Sequence, residues 1–435
     1  MTTRAEFDEL RRWRAEPLEY KEELDARDNR AREAYLAATH SLATIDIEHI
    51  GWVLKDPVHG WVPLDDPFIN DIRKVPAFER LWEVQQFGDR WAVASMLRSA
   101  PHSRAEHALG THELIRRFGP DDPALRAAAV LHDTGHTAFS HHGEAVFDRA
   151  GQQEWHESRL EQLLTEDRFG IRSVLTTHGI SEIEVLANFE HPLLDRPKPD
   201  LCADRIDYVL RDGVAASYIH ERTAHDIVDE LAVTPEYQWY CRTPWSADTM
   251  ERLLILLDSG QYSNPMMRAI KYRTRDLLTL ALGREYLTVD DISEGTDDEI
   301  MEKLWAIQDI DPEFDNQLLE FVELGLPRDS IETMGHAMDN YDTLFDGFDL
   351  PQKRRHIDPL CAYEAKTGDP DDLRPLSEWR RLGYDPRFDK DAPAVINLLG
   401  LPHMTPDEAD AFGVRERHGD TMLAPHPFHK ENRSN

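Results

Sequence analysis

One feature constrains this chain more than any other: an apolar run that ends on ionisable residues. Ala127-Ala-Ala-Val-Leu131 passes without a break into His132-Asp133-Thr-Gly-His136. A segment apolar on all sides predicts a central, buried helix, here over Ala124 to Thr134. Burying a histidine and a carboxylate at its end is costly unless something compensates them. A divalent cation does so, because neutral imidazole and carboxylate both ligate one. His136 follows His132 by four residues, one turn further along the same helical face, and Gly135 permits a close approach by a neighbouring segment. The alternative is a solvated helix end that Gly135 terminates.

Two other segments carry matching chemistry. In Arg104-Ala-Glu-His107 the guanidinium and the imidazole stand at i, i+3 and share a helical face. An arginine beside a metal ligand makes sense where a phosphate bridges them, since its fork matches phosphate oxygens; the plainer alternative pairs Arg104 with Glu106. In Asp204-Arg-Ile-Asp207-Tyr208-Val-Leu-Arg-Asp212, the residues Asp204, Tyr208 and Asp212 recur at i, i+4 and i+8, while Ile206, Val209 and Leu210 take other faces. One carboxylate from this stripe would complete a two-His, two-Asp metal site. Read alone, it is more readily an ordinary charged helix. His141-His-Gly-Glu144 and Trp155-His156-Glu157 lie between these segments and offer general acids and bases, because imidazole titrates near neutral pH. Each histidine taken singly is readily structural, so the argument rests on the ordered set.

Around this centre the chain reads as mainly α. Residues 1–45 suggest two amphipathic helices divided near Pro17, and residues 49–65 a short hairpin about a Pro-Val-His-Gly turn. Helix follows helix from Pro67 to about residue 290. Pro192, Pro197 and Pro199 precede a fresh helix near Asp200. Beyond residue 290 the sequence turns acidic and turn-rich, with helical periodicity at 300–325 and 329–346. No 20–50-residue period repeats, which argues against a solenoid. The three cysteines, Cys202, Cys241 and Cys361, are far apart and lack paired metal spacing, so buried free thiols are expected. No run of 18 apolar residues suggests a membrane span, and the charged start lacks a signal-peptide pattern; a cytoplasmic location is the expectation. The net charge is −34, from 49 basic and 83 acidic residues, with ten lysines among the basic ones. This suits a very salty cytoplasm, or an arginine-favouring high-GC genome. It argues against broad nucleic-acid binding, which needs clustered positive charge, but allows a small phosphorylated substrate held by a few arginines.

At these residues the chain resembles the HD-domain superfamily. More narrowly, it is similar to the deoxynucleoside triphosphate triphosphohydrolases, the bacterial dGTPases and their mammalian SAM-and-HD-domain relatives. The blocks that carry the resemblance, in the family's order, are Asp56-Pro-Val-His-Gly60, Phe78-Glu-Arg-Leu81 with Gln85-Gln-Phe-Gly88, His102 to Gly110, Leu131 to His141, and Asp204 to Asp212. Composition and periodicity divide the chain into an N-terminal helical segment at 1–48, a domain at 49–290 that carries the resemblance and would be the phosphohydrolase domain, a helical, acidic C-terminal region at 291–400 and a flexible tail at 401–435. The resemblance implies an HD helical fold with a small β-hairpin. It implies that His107, His132, Asp133 and Asp204 ligate a divalent metal (Mn, Fe, Ni, Zn or Mg), that Arg104 holds the α-phosphate and that His136 lies over the phosphate chain. His141 would sit close to the scissile bond, and His156 with Glu144 would form a proton-transfer pair. Arg205 would bind phosphate, Tyr208 would stack on the sugar, Asp212 would accept the 3′-hydroxyl and Gln86 would read the sugar edge. Arg268 and Lys271 are candidates by position for the terminal phosphate. The implied reaction is attack of water on the α-phosphorus, releasing nucleoside and triphosphate, by a homo-oligomer. Two other functions stay open: an HD phosphatase for nucleoside monophosphates or another phosphorylated metabolite, and a regulatory module that binds a nucleotide without cleaving it.

Overall fold

The computed structural model describes residues 52–64, 66–88, 102–147, 155–263, 265–307, 310–325, 355–363, 369 and 371–384. The helices expected within 1–45 and 329–346, and the tail from 401, lie outside the described residues.

The expected hairpin forms from β1 (Trp52–Asp56) and β2 (Gly60–Leu64), antiparallel with Asp56 opposite Gly60. After the short helices α1 (Pro67–Ile72) and α2 (Pro76–Glu79), the long α3 (Arg104–Phe118) begins at a capping box. There the Ser103 hydroxyl accepts from Glu106 N at 3.2 Å, and the Glu106 carboxylate accepts from Ser103 N at 2.6 Å. Glu106 is therefore committed to the cap, which leaves Arg104 for the interior.

Helix α4 (Pro123–Leu131) starts with Asp122 as N-cap and Pro123 at its first position. It is buried, as its apolar sequence predicts, but stops at Leu131, short of the expected Thr134. Both the amide and the hydroxyl of Thr134 donate to Leu131 O, folding His132–Thr134 into a turn. His136 therefore reaches the interior through this turn, and the expectation that it shares a helix face with His132 is corrected. The helix end is not solvated either, since Asp133 is only 4% exposed.

Four short helices follow: α5 (His141–Glu144), α6 (Trp155–Thr165), α7 (Ile171–Thr177) and α8 (Glu182–Asn188). Then comes α9 (Ala203–Ala215), which starts three residues after Asp200. Beyond it lie α10 (Glu221–Asp229), α11 (Pro244–Leu257), a π-helical turn at Asp258–Tyr262, and α12 (Pro265–Gly283). The last helices are α13 (Val289–Glu294), α14 (Asp297–Ala306), α15 (Pro312–Gly325) and α16 (Leu376–Arg381). Within the described residues no helix is long and apolar enough to cross a membrane.

Apolar packing crosses residue 290. Leu277, Leu278 and Ala281 of α12 share one buried cluster with Phe139, Ile292, Ile300, Leu304 and Phe314. A four-stranded sheet likewise joins distant sequence in the order β3 (Leu231–Val233), β4 (Trp239–Cys241), β5 (Leu360–Ala362), β6 (Leu373–Pro375), with β4 and β5 parallel. Residue 290 is thus not a packing boundary. Cys202, Cys241 and Cys361 are buried and free, as expected.

Candidate active site

Helices α3, α4 and α9 meet where their ionisable residues converge. His107 is in the second half of the first turn of α3, His132 and Asp133 follow α4, and Asp204 opens α9. His107 Nε2 lies 3.0 Å from Asp204 Oδ1, 3.7 Å from Asp133 Oδ2 and 3.3 Å from His132 Nε2. The far side of each ring fixes its tautomer. His132 Nδ1 is 2.8 Å from the Ala129 carbonyl, which can only accept, so the proton sits on Nδ1. His107 Nδ1 likewise donates to Asp207 Oδ2 at 2.7 Å. Both Nε2 atoms then present lone pairs to each other and to two carboxylates, an arrangement that calls for a cation between them. Two imidazole nitrogens and two carboxylates fit a divalent metal, and Asp204 is the most open of the four, with a side chain 31% exposed. Without metal, protons take that role. Burial opposes a charge on His107, but Asp204 and Asp207 outweigh it and raise the ring to about 10. Burial also opposes ionisation of Asp133, yet His132, Arg104 and His136 hold its carboxyl well below the usual range.

Asp207 was not singled out in the sequence, although it organises this centre. It receives His107, His59 at 3.0 Å and the Arg211 fork at 2.9 Å through both oxygens, and Arg211 also meets Asp56 at 2.8 Å. The hairpin is thereby tied to His107. A signal was present: Asp207 and Arg211 stand at i, i+4 on α9. Gly110 of α3 faces this pair, and a Cβ there would collide with Asp207 Oδ1 and Arg211 Nη2.

Arg104 is buried and spans three partners: Asp133 Oδ2 at 2.8 Å, Ser140 Oγ at 3.0 Å and the Gln86 carbonyl at 3.2 Å. The Gln86 side-chain carbonyl is buried and has no hydrogen-bond partner.

Beside the quartet stands the second histidine set. His136 Nδ1 is 2.5 Å and His156 Nδ1 3.1 Å from Glu144 Oε1, and His141 Nδ1 is 3.1 Å from Glu144 Oε2. His136 stacks on His156 at 3.9 Å, and its Nε2 reaches Asp133 Oδ1 at 3.2 Å. Gly135 makes the stack possible, because a Cβ there would collide with the His156 carbonyl. Burial opposes the Glu144 carboxylate, but His136, His156 and His141 hold its pKa well below the ordinary value. Burial lowers His141 well below 6.5, whereas Glu144 overcomes burial and raises His156. Rings of unequal basicity around one carboxylate can pass a proton toward a ligand.

Both sets open into one pocket of about 750 Å³, within the range of small-molecule sites. Gln86, Arg104, His132, Asp133, His136, His141, His156, Asp204, Arg205, Tyr208 and Asp212 all line it, while His107 stands behind. Arg205 lines it with one amine donating to the Asp200 and Arg196 carbonyls, at 2.5 and 3.2 Å. Asp212 accepts from the Tyr262 hydroxyl and lies 3.1 Å from His102 Nε2. Tyr262, Lys198 and Arg355 also line the pocket, as do Arg268 and Lys271. The first three carried no local sequence signal, since the fold alone brings them there.

Residues 104–212, which hold the His107, His132, Asp133 and Asp204 quartet and the second histidine set, match the HD domain family. Among curated proteins, the chain is 31% identical over 227 residues to the metal-dependent phosphohydrolase cns2 of Cordyceps militaris, covering 52% of this chain and 59% of that protein. It is 26% identical over 193 residues to the deoxynucleoside triphosphate triphosphohydrolase SAMHD1 homolog of Dictyostelium discoideum, 37% of this chain and 36% of that one. The chain thus spans less than two thirds of these relatives. A solved phosphohydrolase of Bacteroides thetaiotaomicron shares the fold at a TM-score of 0.50 and 15% identity, covering 75% of this chain and 94% of that one.

Proposed function

We propose that the protein is a metal-dependent phosphohydrolase that cleaves deoxynucleoside triphosphates to nucleoside and triphosphate. The observation that carries the hydrolase reading is the pair of bare Nε2 atoms on His107 and His132, 3.3 Å apart beside Asp133 and Asp204. A divalent cation held by these four supplies Lewis acidity toward a phosphoryl oxygen. Arg104, already fixed against Asp133, offers positive charge where phosphate oxygens gain charge. His156 and Glu144 hold a proton beside His141, which can deliver it to the departing nucleoside oxygen. Tyr208 and Asp212 on α9, with Tyr262, furnish an aromatic and carboxylate wall suited to a deoxyribose. The names of the cns2 and SAMHD1-homolog relatives support the coarse and the fine parts of this reading respectively.

One observation favours a second reading, a phosphatase for nucleoside monophosphates. Glu157, Glu161, Glu190 and Asp195 line the same pocket as the cations and would repel a long polyphosphate. The test is a screen of dNTPs, NTPs and nucleoside monophosphates with metal-stripped and metal-restored protein, identifying products. Inorganic triphosphate from a dNTP supports the first reading, and orthophosphate from a monophosphate the second. Nucleotide binding without turnover at full metal content would overturn both. The His132→Ala variant should lose metal and activity while remaining folded.

A further inference from the structure

Outside the HD domain, the segment before β5 carries an arginine that reaches the pocket. Arg355 places its guanidinium 4.2 Å from the centroid of the Tyr262 ring. Tyr262 in turn meets Tyr208 edge-on at 6.2 Å and Phe87 at 6.4 Å, and its hydroxyl is held by Asp212. All of these side chains line the pocket. The backbone beside Arg355 is fixed: Ile357 is fully buried, Asp358 N donates to Pro199 O at 3.1 Å, and Leu360 and Cys361 pair with β4. Within the described residues no carboxylate lies at ion-pair distance from Arg355. Most arginines of this acidic chain described here do have such partners, for example Arg211, Arg222 and Arg374. An arginine that is anchored, stacked on an aromatic ring and yet unpaired presents a flat cationic surface with free donors. Nucleobases are recognised on such guanidinium and aromatic planes.

We propose that Arg355, stacked on Tyr262, is a substrate-binding residue that holds the nucleobase, so that a segment outside the HD domain completes the site. This rests on the nucleotide reading above. Its position beside Tyr208 and Asp212 assigns Arg355 to the nucleoside end of the substrate and not to the phosphate chain. The guanidinium takes no part in bond breaking, so its effect belongs in KM and not in kcat.

The test compares wild type, Arg355→Gln and Arg355→Lys on a deoxynucleoside mono-, di- and triphosphate series, with thermal unfolding to verify folding. Competition by the free deoxynucleoside gives a second readout that does not depend on phosphate. The expected result for Arg355→Gln is a KM raised about ten-fold, the scale of one base-stacking contact, with kcat within about two-fold. The same factor should appear for every member of the series and for nucleoside competition. Arg355→Lys keeps the charge but loses the plane, so it restores only part of the loss. An unchanged KM in Arg355→Gln overturns the assignment and leaves the hydrolase reading intact. A loss that grows with the number of phosphates overturns it in favour of a phosphate anchor. If wild type neither turns over nor binds any nucleotide, the nucleotide reading fails, and this inference with it.

Discussion

Asp207 is the residue on which the proposed metal centre depends most without being one of its four candidate ligands. It fixes the His107 tautomer and neutralises Arg211 inside the protein. In Asp207→Asn the ring loses its charged acceptor, and the fall in metal affinity should be about ten- to hundred-fold, as for other partners behind a ligand. Metal titration of the stripped variant, with unfolding followed in parallel, checks this. A wild-type affinity would show that Asp207 serves only the fold. A second residue sets an acid limit. Burial lowers the His112 ring from 6.5 to about 4. Between those pH values the unfolded chain holds a proton that the folded chain does not, so stability falls as pH drops through this window. The loss amounts to about 3 kcal/mol once pH is below both values. The His112→Gln variant should show a flatter decline from pH 6.5 to 4 in denaturant unfolding; a decline as steep as wild type would exclude this histidine as its source. The sequence made the quartet legible because the cost of burying its members shows in the residue types themselves. It did not single out Asp207, whose role depends on which ring nitrogen faces it, nor Arg355 and Tyr262, which the fold brings in from far along the chain.

At the scale of elements, the loop that carries the second histidine set is braced by helices beyond the residues that match the HD domain family. Phe139 and Ser140 adopt φ of 59° and 50°, a left-handed region costly for side chains other than glycine. Asp297, at the first position of α14, holds that geometry by accepting from Phe139 N at 2.6 Å with one oxygen and from Gln85 N at 3.1 Å with the other. The Ala138 amide adds a bond to Ile292 O at 2.9 Å. Asp297→Ala leaves two amides without their acceptor and should cost about 2 kcal/mol or more in unfolding free energy. Activity should fall further than that loss explains, because His141 and Glu144 follow directly on the released loop. Asp297→Asn, which keeps one strong acceptor, should fall between. If the activity of the Ala variant is untouched under conditions where it is fully folded, the loop does not need the brace. The hairpin and the sites of α3, α4 and α9 were legible from periodicity and turn residues. The early end of α4 was not, because Thr134 closes a turn that the apolar pattern does not encode. The joining of α13–α15 to the loop of the second histidine set was not legible either, since charge and turns near residue 290 conceal a continuous core.

For the whole molecule, charge separates two effects that would otherwise run together. A net charge of −34 makes the protein repel itself and any polyanion, while it attracts divalent cations. The Debye length falls from about 10 Å at 0.1 M salt to about 3 Å at 1 M. Raising KCl should therefore raise the unfolding temperature, because relief of repulsion among the excess carboxylates outweighs the weakening of exposed pairs such as Arg222–Asp226. The buried Arg211–Asp207 pair, 2.9 Å apart and out of contact with solvent, should be little changed. The same rise in salt acts in opposite directions on the two partners of the site. Capture of the divalent metal by stripped protein should slow, since its electrostatic attraction is screened. KM for a nucleotide should fall, since a phosphate chain no longer approaches through a repulsive field to reach Arg104. Stopped-flow metal uptake and steady-state kinetics on metal-saturated protein, run over one KCl series, separate the two. A nucleotide KM that rises with salt, as it does for proteins with a basic binding face, would mean that local cations around the pocket dominate the field of the whole molecule.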